Sequence, residues 1–103
     1  MGLLLRSLWM SYKLRFHELA LVEWKKIDGS IREIFKKKLK ERLKKPRIPS
    51  AALSNMPNCY KIKLANAGYR LVYRVDDDTV YVTVIAIGKR ENKKVYDSAK
   101  SRL

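Results

Sequence analysis

The sequence predicts a single α+β domain whose elements follow the order βααβββα. Three observations indicate this class. Two amphipathic helical segments lie together in the first half, three strand-like runs joined by short turns follow, and an apolar stripe at helical spacing ends the chain. Helices grouped apart from strands are typical of helices packed on one face of a small antiparallel sheet. A chain of 103 residues is the size of one such domain.

The chain opens with a short strand-like run. In "SYKLRF", Tyr12, Leu14 and Phe16 alternate with polar residues, as in a half-buried strand. The preceding segment is interrupted by Arg6 and is too short for a signal peptide or a membrane-spanning helix. We expect residues 1–10 to be a loose extension and residues 11–103 to form the domain, with no membrane association.

The two helices are predicted to form a hairpin joined at Gly29–Ser30. Gly29 is a natural terminator of the first helix, "HELALVEWKKIDG", and Ser30 with Glu33 has the spacing of a capping box that begins the second. Pro46 ends the second helix, because proline lacks the N–H that a helix interior requires. The face of this helix expected to be buried carries Ile31, Ile34, Phe35, Leu39 and Leu43.

The second half of the chain contains three strand-like runs and a terminal helix. The runs are Cys59–Leu64, Tyr69–Val75 and Thr79–Ile87. The short turns between them, "ANAG" and "DDD", predict an antiparallel meander. Val95, Ala99 and Leu103 lie at i, i+4 and i+8, which predicts a short terminal helix.

The net charge is the strongest functional signal in the composition. Lysine and arginine number 24 against 10 acidic residues, a formal net charge of +14. Such an excess repels itself and indicates an anionic partner, namely nucleic acid, an acidic protein or an anionic membrane. Because His17 and Cys59 are the only histidine and cysteine, we expect no metal, no cofactor and no disulfide, as in a reducing cytoplasm.

A cluster of cations is predicted on one face of the first β-hairpin. Lys61 and Lys63 share a face, and a turn centred between Asn66 and Ala67 places Arg70 directly opposite Lys63. Like charges in such a position cost roughly 0.2–1 kcal/mol, which a bound polyanion would reverse. The alternative is a solvated face whose lysines protect an exposed sheet edge.

Further candidate residues surround this cluster. Arg74 shares the face of Arg70, and Arg90, in "GKR" after the last strand, is placed to bend over the same face. Tyr96 is either a core residue of the terminal helix or a platform on which a base stacks. The surface of the second helix carries a set of lysines: Lys36, Lys37, Lys38, Lys40, Lys44 and Lys45.

The segment "LSNMPNCYKIKLANAGYRLVYRVDDDTVYVTVIAIGKRENKKVY" closely resembles the RelE toxins of bacterial toxin–antitoxin modules. "EWKKIDGSIREIFKKKLKERLKKPRIP" resembles their helical hairpin, so that the resemblance covers Ser11 to Leu103. It implies a ribosome-dependent mRNA endonuclease that cuts codons in the ribosomal A site. It also implies a RelB-like antitoxin, and repression of the operon when the toxin–antitoxin complex binds operator DNA.

The resemblance also assigns a catalytic set, which falls on Lys61, Lys63, Arg70, Arg90 and Tyr96. For attack of an RNA 2′-hydroxyl on the adjacent phosphate, Lys63 is assigned as the base, with Arg70 and Lys61 on the phosphate. Arg90 then stabilises the leaving side, and Tyr96 stacks on a nucleotide or orients the 2′-hydroxyl. Ser54 replaces a loop cation that the family often has, and we expect the lysines of the second helix to contact ribosomal RNA instead.

Two other functions fit the same residues. One is that of relatives on this scaffold that poison DNA gyrase, a binding activity without nuclease chemistry. The other is a basic RNA-binding module without catalysis, whose binding weakens with salt but leaves the RNA intact.

Overall fold

In the computed structural model, the described residues are 11–89, 91 and 93–103, and they form four strands and three α-helices in the predicted order. The elements are β1 Lys13–Phe16, α1 Glu18–Lys26, α2 Gly29–Lys44, β2 Cys59–Leu64, β3 Tyr69–Asp76, β4 Tyr81–Lys89 and α3 Lys94–Arg102. A short 3₁₀ turn, Pro49–Ala51, lies between α2 and β2. The α+β class and the order βααβββα are therefore confirmed. The extension predicted for residues 1–10 lies outside the described residues.

The four strands form one sheet in the order β1-β4-β3-β2. The pairs β2–β3 and β3–β4 are antiparallel, as the short turns predicted. β1 pairs with β4 in parallel, so the sheet is mixed rather than wholly antiparallel. The prediction was incomplete because β1 reaches the sheet through the helical hairpin, and no tight turn fixes its direction.

One face of the sheet packs against α1 and α2. Leu71 and Tyr73 of β3 are buried there with Ala20 of α1 and with Phe35 and Leu39 of α2. Most of the predicted stripe on α2 thus faces the core, whereas Ile34 is exposed. Burial of one large apolar side chain contributes about 1.5–3 kcal/mol, so this face supplies much of the stability.

The opposite face packs against α3, which corrects the prediction that all helices share one face. Val72 points away from Leu71 and Tyr73 and lies in a second core with Val95 and Ala99 of α3. Ala86, which pairs with Val72, lies in the same core, and a register shift between Val72 and Tyr73 adds Ile85 to it. Sequence periodicity identifies the apolar stripe of α3 but does not specify the sheet face that it covers.

The junction between α1 and α2 differs from the predicted one. Gly29 begins α2 instead of ending α1, with Asp28 at the N-cap position. Ser30 lies inside the first turn, and the carboxylate of Glu33 pairs with Lys36 Nζ at 2.9 Å. The capping-box prediction is therefore wrong.

The C-terminal end of α1 is capped by Arg32 of α2. Its Nη1 donates to the carbonyl oxygens of Trp24 at 3.0 Å and Ile27 at 3.1 Å, which belong to the C-terminal end of α1. These hydrogen bonds satisfy carbonyl groups at the end of the helix. In a helix that ends at glycine, backbone N–H groups after the helix would satisfy them instead. The turn between the helices lies at Ile27 and Asp28, two positions earlier than the predicted junction at Gly29–Ser30.

Candidate active site

The β2–β3 hairpin has the predicted register. Lys63 pairs with Arg70 across the ladder, and the turn is closed by the Gly68 N–H, which donates to Leu64 O at 2.8 Å. Gly68 has a φ of 71°, in the left-handed region that glycine adopts without a steric penalty. Because no bulge intervenes between these strands, the side chains of Lys61, Lys63 and Arg70 lie on one face of the sheet.

The three cations differ in accessibility. Lys63 is exposed and Lys61 is half-buried, whereas Arg70 is only 4% exposed. The Arg70 Nη1 donates to the carbonyl oxygen of its neighbour Tyr69 at 3.1 Å, on the face that α3 covers. A phosphate can therefore reach Lys63 directly, but it reaches Arg70 only after the guanidinium turns outward or the covering groups shift.

Tyr96 approaches this cluster from α3. Its ring packs at the margin of the second core, as the core interpretation of the sequence predicted, and it also lines a cavity of about 320 Å³. Lys61 lines the same cavity from the sheet, together with Lys93 and Lys100. The fold thus brings a tyrosine and several cations around one space, which is large enough for a nucleotide base.

The remaining member of the predicted catalytic set, Arg90, lies outside the described residues. The neighbouring part of β4 is described, and Gly88 pairs with Arg70 across the ladder. The C-terminal end of β4 is therefore at the same end of the sheet as the cation cluster.

Arg74 lies on the predicted face but is bound within the protein. Its Nε and Nη2 donate to the two carboxylate oxygens of Asp76 at 2.9 and 3.3 Å. Asp76 also accepts from Thr83 Oγ1 at 3.0 Å and from Arg15 Nη2 at 3.3 Å. Burial raises the pKa of Asp76, but the hydrogen bonds from Arg74 and Thr83 outweigh it and leave the pKa below its ordinary value. Arg74 is thus held by a carboxylate of the protein itself.

The predicted lysines of α2 are all exposed: Lys36, Lys37, Lys38, Lys40, Lys44 and Lys45. Lys38 lines a cavity of about 210 Å³ together with Lys61 and Lys63 of β2. Because β2 is an edge strand, this cavity joins the basic surface of α2 to the hairpin cluster around the edge of the sheet. Lys38 therefore lies next to the hairpin cluster, whereas Lys36, Lys37 and Lys40 line a cavity beside β1, at the opposite edge of the sheet.

Sequence reasoning missed the role of Arg42 at this junction. Its Nη1 donates to Lys61 O at 3.0 Å and to the Tyr73 hydroxyl at 2.9 Å. The Tyr73 hydroxyl in turn donates to Pro46 O at 2.7 Å. Arg42 thereby fixes the backbone of β2 at Lys61, and no sequence signal separates it from the solvated cations of the same helix.

The described residues contain no group of three or more His, Cys, Asp or Glu side chains placed to hold a metal ion. None of the described helices has the length and apolar character needed to cross a membrane.

Comparison with known proteins places these features in a family. A family model described as the ParE toxin of the type II toxin–antitoxin system parDE matches residues 14–93. The mRNA interferase toxin RelE of Escherichia coli is 53% identical over 94 residues, which are 91% of this chain and 99% of that protein. The mRNA interferase RelE of Shigella flexneri matches to the same extent, at 53% identity over 94 residues.

Solved structures agree with the sequence matches. Free Escherichia coli RelE carrying two arginine-to-alanine substitutions has a TM-score of 0.85 at 52% identity, covering 91% of this chain and 99% of that one. The same substituted toxin in complex with an antitoxin RelBc peptide has a TM-score of 0.77 at 52% identity, with the same coverage.

Proposed function

This chain belongs to the RelE family of toxins of type II toxin–antitoxin systems, and we propose that it is an mRNA interferase that cuts mRNA in the ribosomal A site and so inhibits translation. The observation that carries this proposal is the pairing of Lys63 with Arg70 beside Lys61, on the sheet face that α3 and Tyr96 border. This arrangement gathers positive charge where a ribose–phosphate backbone would lie.

The reaction we propose needs no group from outside the protein and RNA. Lys63 Nζ accepts the proton of the 2′-hydroxyl, the 2′-oxygen forms a bond to phosphorus, and the bond from phosphorus to the 5′-oxygen breaks. The leaving 5′-oxygen takes up a proton, so the products are a 2′,3′-cyclic phosphate and a 5′-hydroxyl. Lys63 can reach the 2′-hydroxyl because it is the exposed member of the cluster, and it acts in its neutral form, since only an unprotonated amine can accept a proton.

Lys61 and Arg70 are assigned to the phosphate, where negative charge develops in the transition state. Arg70 is buried before substrate binds, so we expect its guanidinium to leave Tyr69 O for the phosphate when RNA is bound. Tyr96, which borders the cavity shared with Lys61, is assigned to stacking on a nucleotide. Arg90 is assigned to the leaving side on the family resemblance.

The basic surface of α2 is assigned to ribosomal RNA. Lys38 lies next to the hairpin cluster, and the other exposed lysines, among them Lys36, Lys37 and Lys40 on the side toward β1, add positive charge to the helix. Arg74 is the weakest member of the predicted RNA-binding set, because Asp76 already neutralises it. Binding to the ribosome is therefore expected to weaken as the salt concentration rises.

We further propose that an antitoxin related to RelB neutralises the toxin, since the substituted Escherichia coli toxin is seen with a RelBc peptide. A protein of formal net charge +14 favours an acidic partner. The complex, rather than the free toxin, is expected to bind the operator. The site of action is the bacterial cytoplasm, where ribosomes translate mRNA.

Mapping mRNA ends after induced expression tests the proposed function. Cuts at a fixed phase of the reading frame, present only where ribosomes translate, are the expected result. DNA damage without such cuts would instead indicate a gyrase poison. This alternative is retained because the matching family model is described as the ParE toxin. Ribosome binding without cuts would indicate a non-catalytic RNA-binding module.

A further inference from the structure

The C-terminal turn of α3 is tied to α1 by an ion pair between Arg102 and Glu23. Arg102 Nη1 donates to Glu23 Oε1 at 2.8 Å, and its Nη2 donates to Glu23 Oε2 at 2.9 Å. The Arg102 side chain is only 12% exposed, and hydrogen bonding to Glu23 raises its pKa. Two parallel, charge-assisted hydrogen bonds of this kind fix orientation as well as distance.

This pair, the Glu23–Arg102 latch, also occupies an open edge of the sheet. β1 covers the edge of β4 only over Tyr81–Val84. Beyond that point the Ile87 N–H donates to Glu23 Oε1 at 3.0 Å, and Ile85 O accepts from Arg102 Nη1 at 2.9 Å. The latch thus bonds to β4 where its neighbouring strand has ended, and it connects helices that lie on opposite faces of the sheet.

α3 packs on β3 and β4 mainly through small apolar side chains. It is nine residues long, a length at which an isolated helix is marginal in water, and its buried side chains are Val95 and Ala99. Both are small, so the apolar surface that they bury is limited. The latch adds directional hydrogen bonds at the far end of the helix, which this limited apolar contact does not supply.

Tyr96 is six residues before Arg102 on the same helix, which corresponds to about 9 Å along its axis. It borders the cavity shared with Lys61 only while α3 lies on the sheet. We propose that Glu23 and Arg102 are positioning residues for RNA cleavage, which act by holding α3 on the sheet and Tyr96 beside Lys61. The inference rests on the proposed nuclease function.

The first test is single-turnover cleavage of mRNA on programmed ribosomes by the full chain carrying Arg102→Gln. We expect the cleavage rate to fall by about ten- to a hundredfold, as for a displaced active-site group, while the half-saturating ribosome concentration changes by less than about twofold. Arg102→Lys, which retains the charge without the two-pronged geometry, should recover part of the rate. Lys94→Gln is the matched control, because it removes one exposed positive charge from the same helix.

The decisive comparison repeats Arg102→Gln in a Tyr96→Ala background. If Arg102 acts through Tyr96, the second substitution causes little further loss of rate. An equal loss in both backgrounds would overturn the proposal, because Arg102 would then act on something other than Tyr96. Cleavage by Arg102→Gln at the wild-type rate would overturn it as well.

Hydrogen exchange provides a readout that does not depend on cleavage. In Arg102→Gln the amides of α3 should exchange faster, whereas those of β3 keep their protection. Unchanged exchange in α3 would contradict the latch itself. If the wild-type chain fails to cut mRNA but α3 exchanges faster in Arg102→Gln, the proposed nuclease function is wrong and the latch is supported. If the wild type cuts mRNA and Arg102→Gln cuts it at the same rate, only the positioning role is wrong.

Discussion

The sheet face that α3 covers carries cations at both of its ends. The cations at one end are paired with a carboxylate of the protein, and those at the other end are not paired with one in the part of the chain that the structure describes. The hairpin end is the group Lys61, Lys63 and Arg70, and the turn end is the group Arg15, Arg74, Asp76 and Thr83. Arg70 and Arg74 are four residues apart on β3, so the two ends are separated by about 13 Å.

At the turn end, the carboxylate of Asp76 accepts hydrogen bonds from both arginines and from Thr83. At the hairpin end, no carboxylate within the described parts of the chain forms an ion pair with any of the three cations. The same residue types on the same face therefore serve structure at one end and remain available to an anionic ligand at the other. Separate substitutions at the two ends test that division.

The largest expected effect is the loss of cleavage in Lys63→Ala. Removing the proposed base should lower the single-turnover rate on programmed ribosomes by roughly 100- to 10,000-fold. The fold should persist, because Lys63 is exposed and contributes little packing. Thermal unfolding of the same sample checks the fold.

Lys26→Ala is the matched control for this experiment, since it removes an exposed lysine from the end of α1. It should cleave at nearly the wild-type rate. Retention of wild-type cleavage by Lys63→Ala would remove Lys63 from the mechanism and leave the hairpin end without an assigned base.

The next effect in size is a loss of stability in Asp76→Asn. The substitution removes the charge that binds Arg74 and Arg15, and we expect the free energy of unfolding to fall by about 1.5 kcal/mol near pH 7. Because folding lowers the pKa of Asp76 below its ordinary 3.8, its contribution is complete above that value and is lost as the pH falls through the folded pKa. The free energies of unfolding of the wild type and Asp76→Asn, measured with urea at several pH values, should therefore become equal in acid.

Asp78→Asn, an exposed position in the same turn, provides the comparison for charge removal alone. It should leave the stability within about 0.5 kcal/mol of wild type. A change in cleavage rate by Asp76→Asn of more than about tenfold would show that the turn end takes part in the reaction, contrary to the division between the two ends.

The sequence predicts the hairpin end well. Alternation of apolar and polar residues assigns Lys61 and Lys63 to one face, and the short turn sets Arg70 opposite Lys63. Both signals are local, so no knowledge of the tertiary structure is required. Alternation does not reveal what covers that face, which is why the burial of Arg70 was not predicted.

Two of the features that could not be predicted depend on residues far apart in the chain. Glu23 and Arg102 are 79 positions apart, and Arg42 reaches the hydroxyl of Tyr73 across 31 positions. Helical periodicity presents such residues as surface charges, since their partners are fixed only once the helices lie on the sheet. The junction at Asp28 involves a shorter separation: Arg32 of α2 caps α1 from five and eight positions away, and these contacts form only when the two helices pack together.

The smallest expected effect is a gain in stability from Lys63→Gln. Glutamine keeps the length and polarity of the side chain but removes its charge opposite Arg70, which should stabilise the fold by roughly 0.2–1 kcal/mol. The Debye screening length is about 3 Å at 1 M salt. The gain in the free energy of unfolding, measured with urea, should therefore decrease as salt is added. Lys13→Gln, on β1 opposite Tyr81, should show no such gain. Destabilisation by Lys63→Gln at low salt would mean that some anionic group already neutralises the hairpin end, and the contrast with the turn end would be lost.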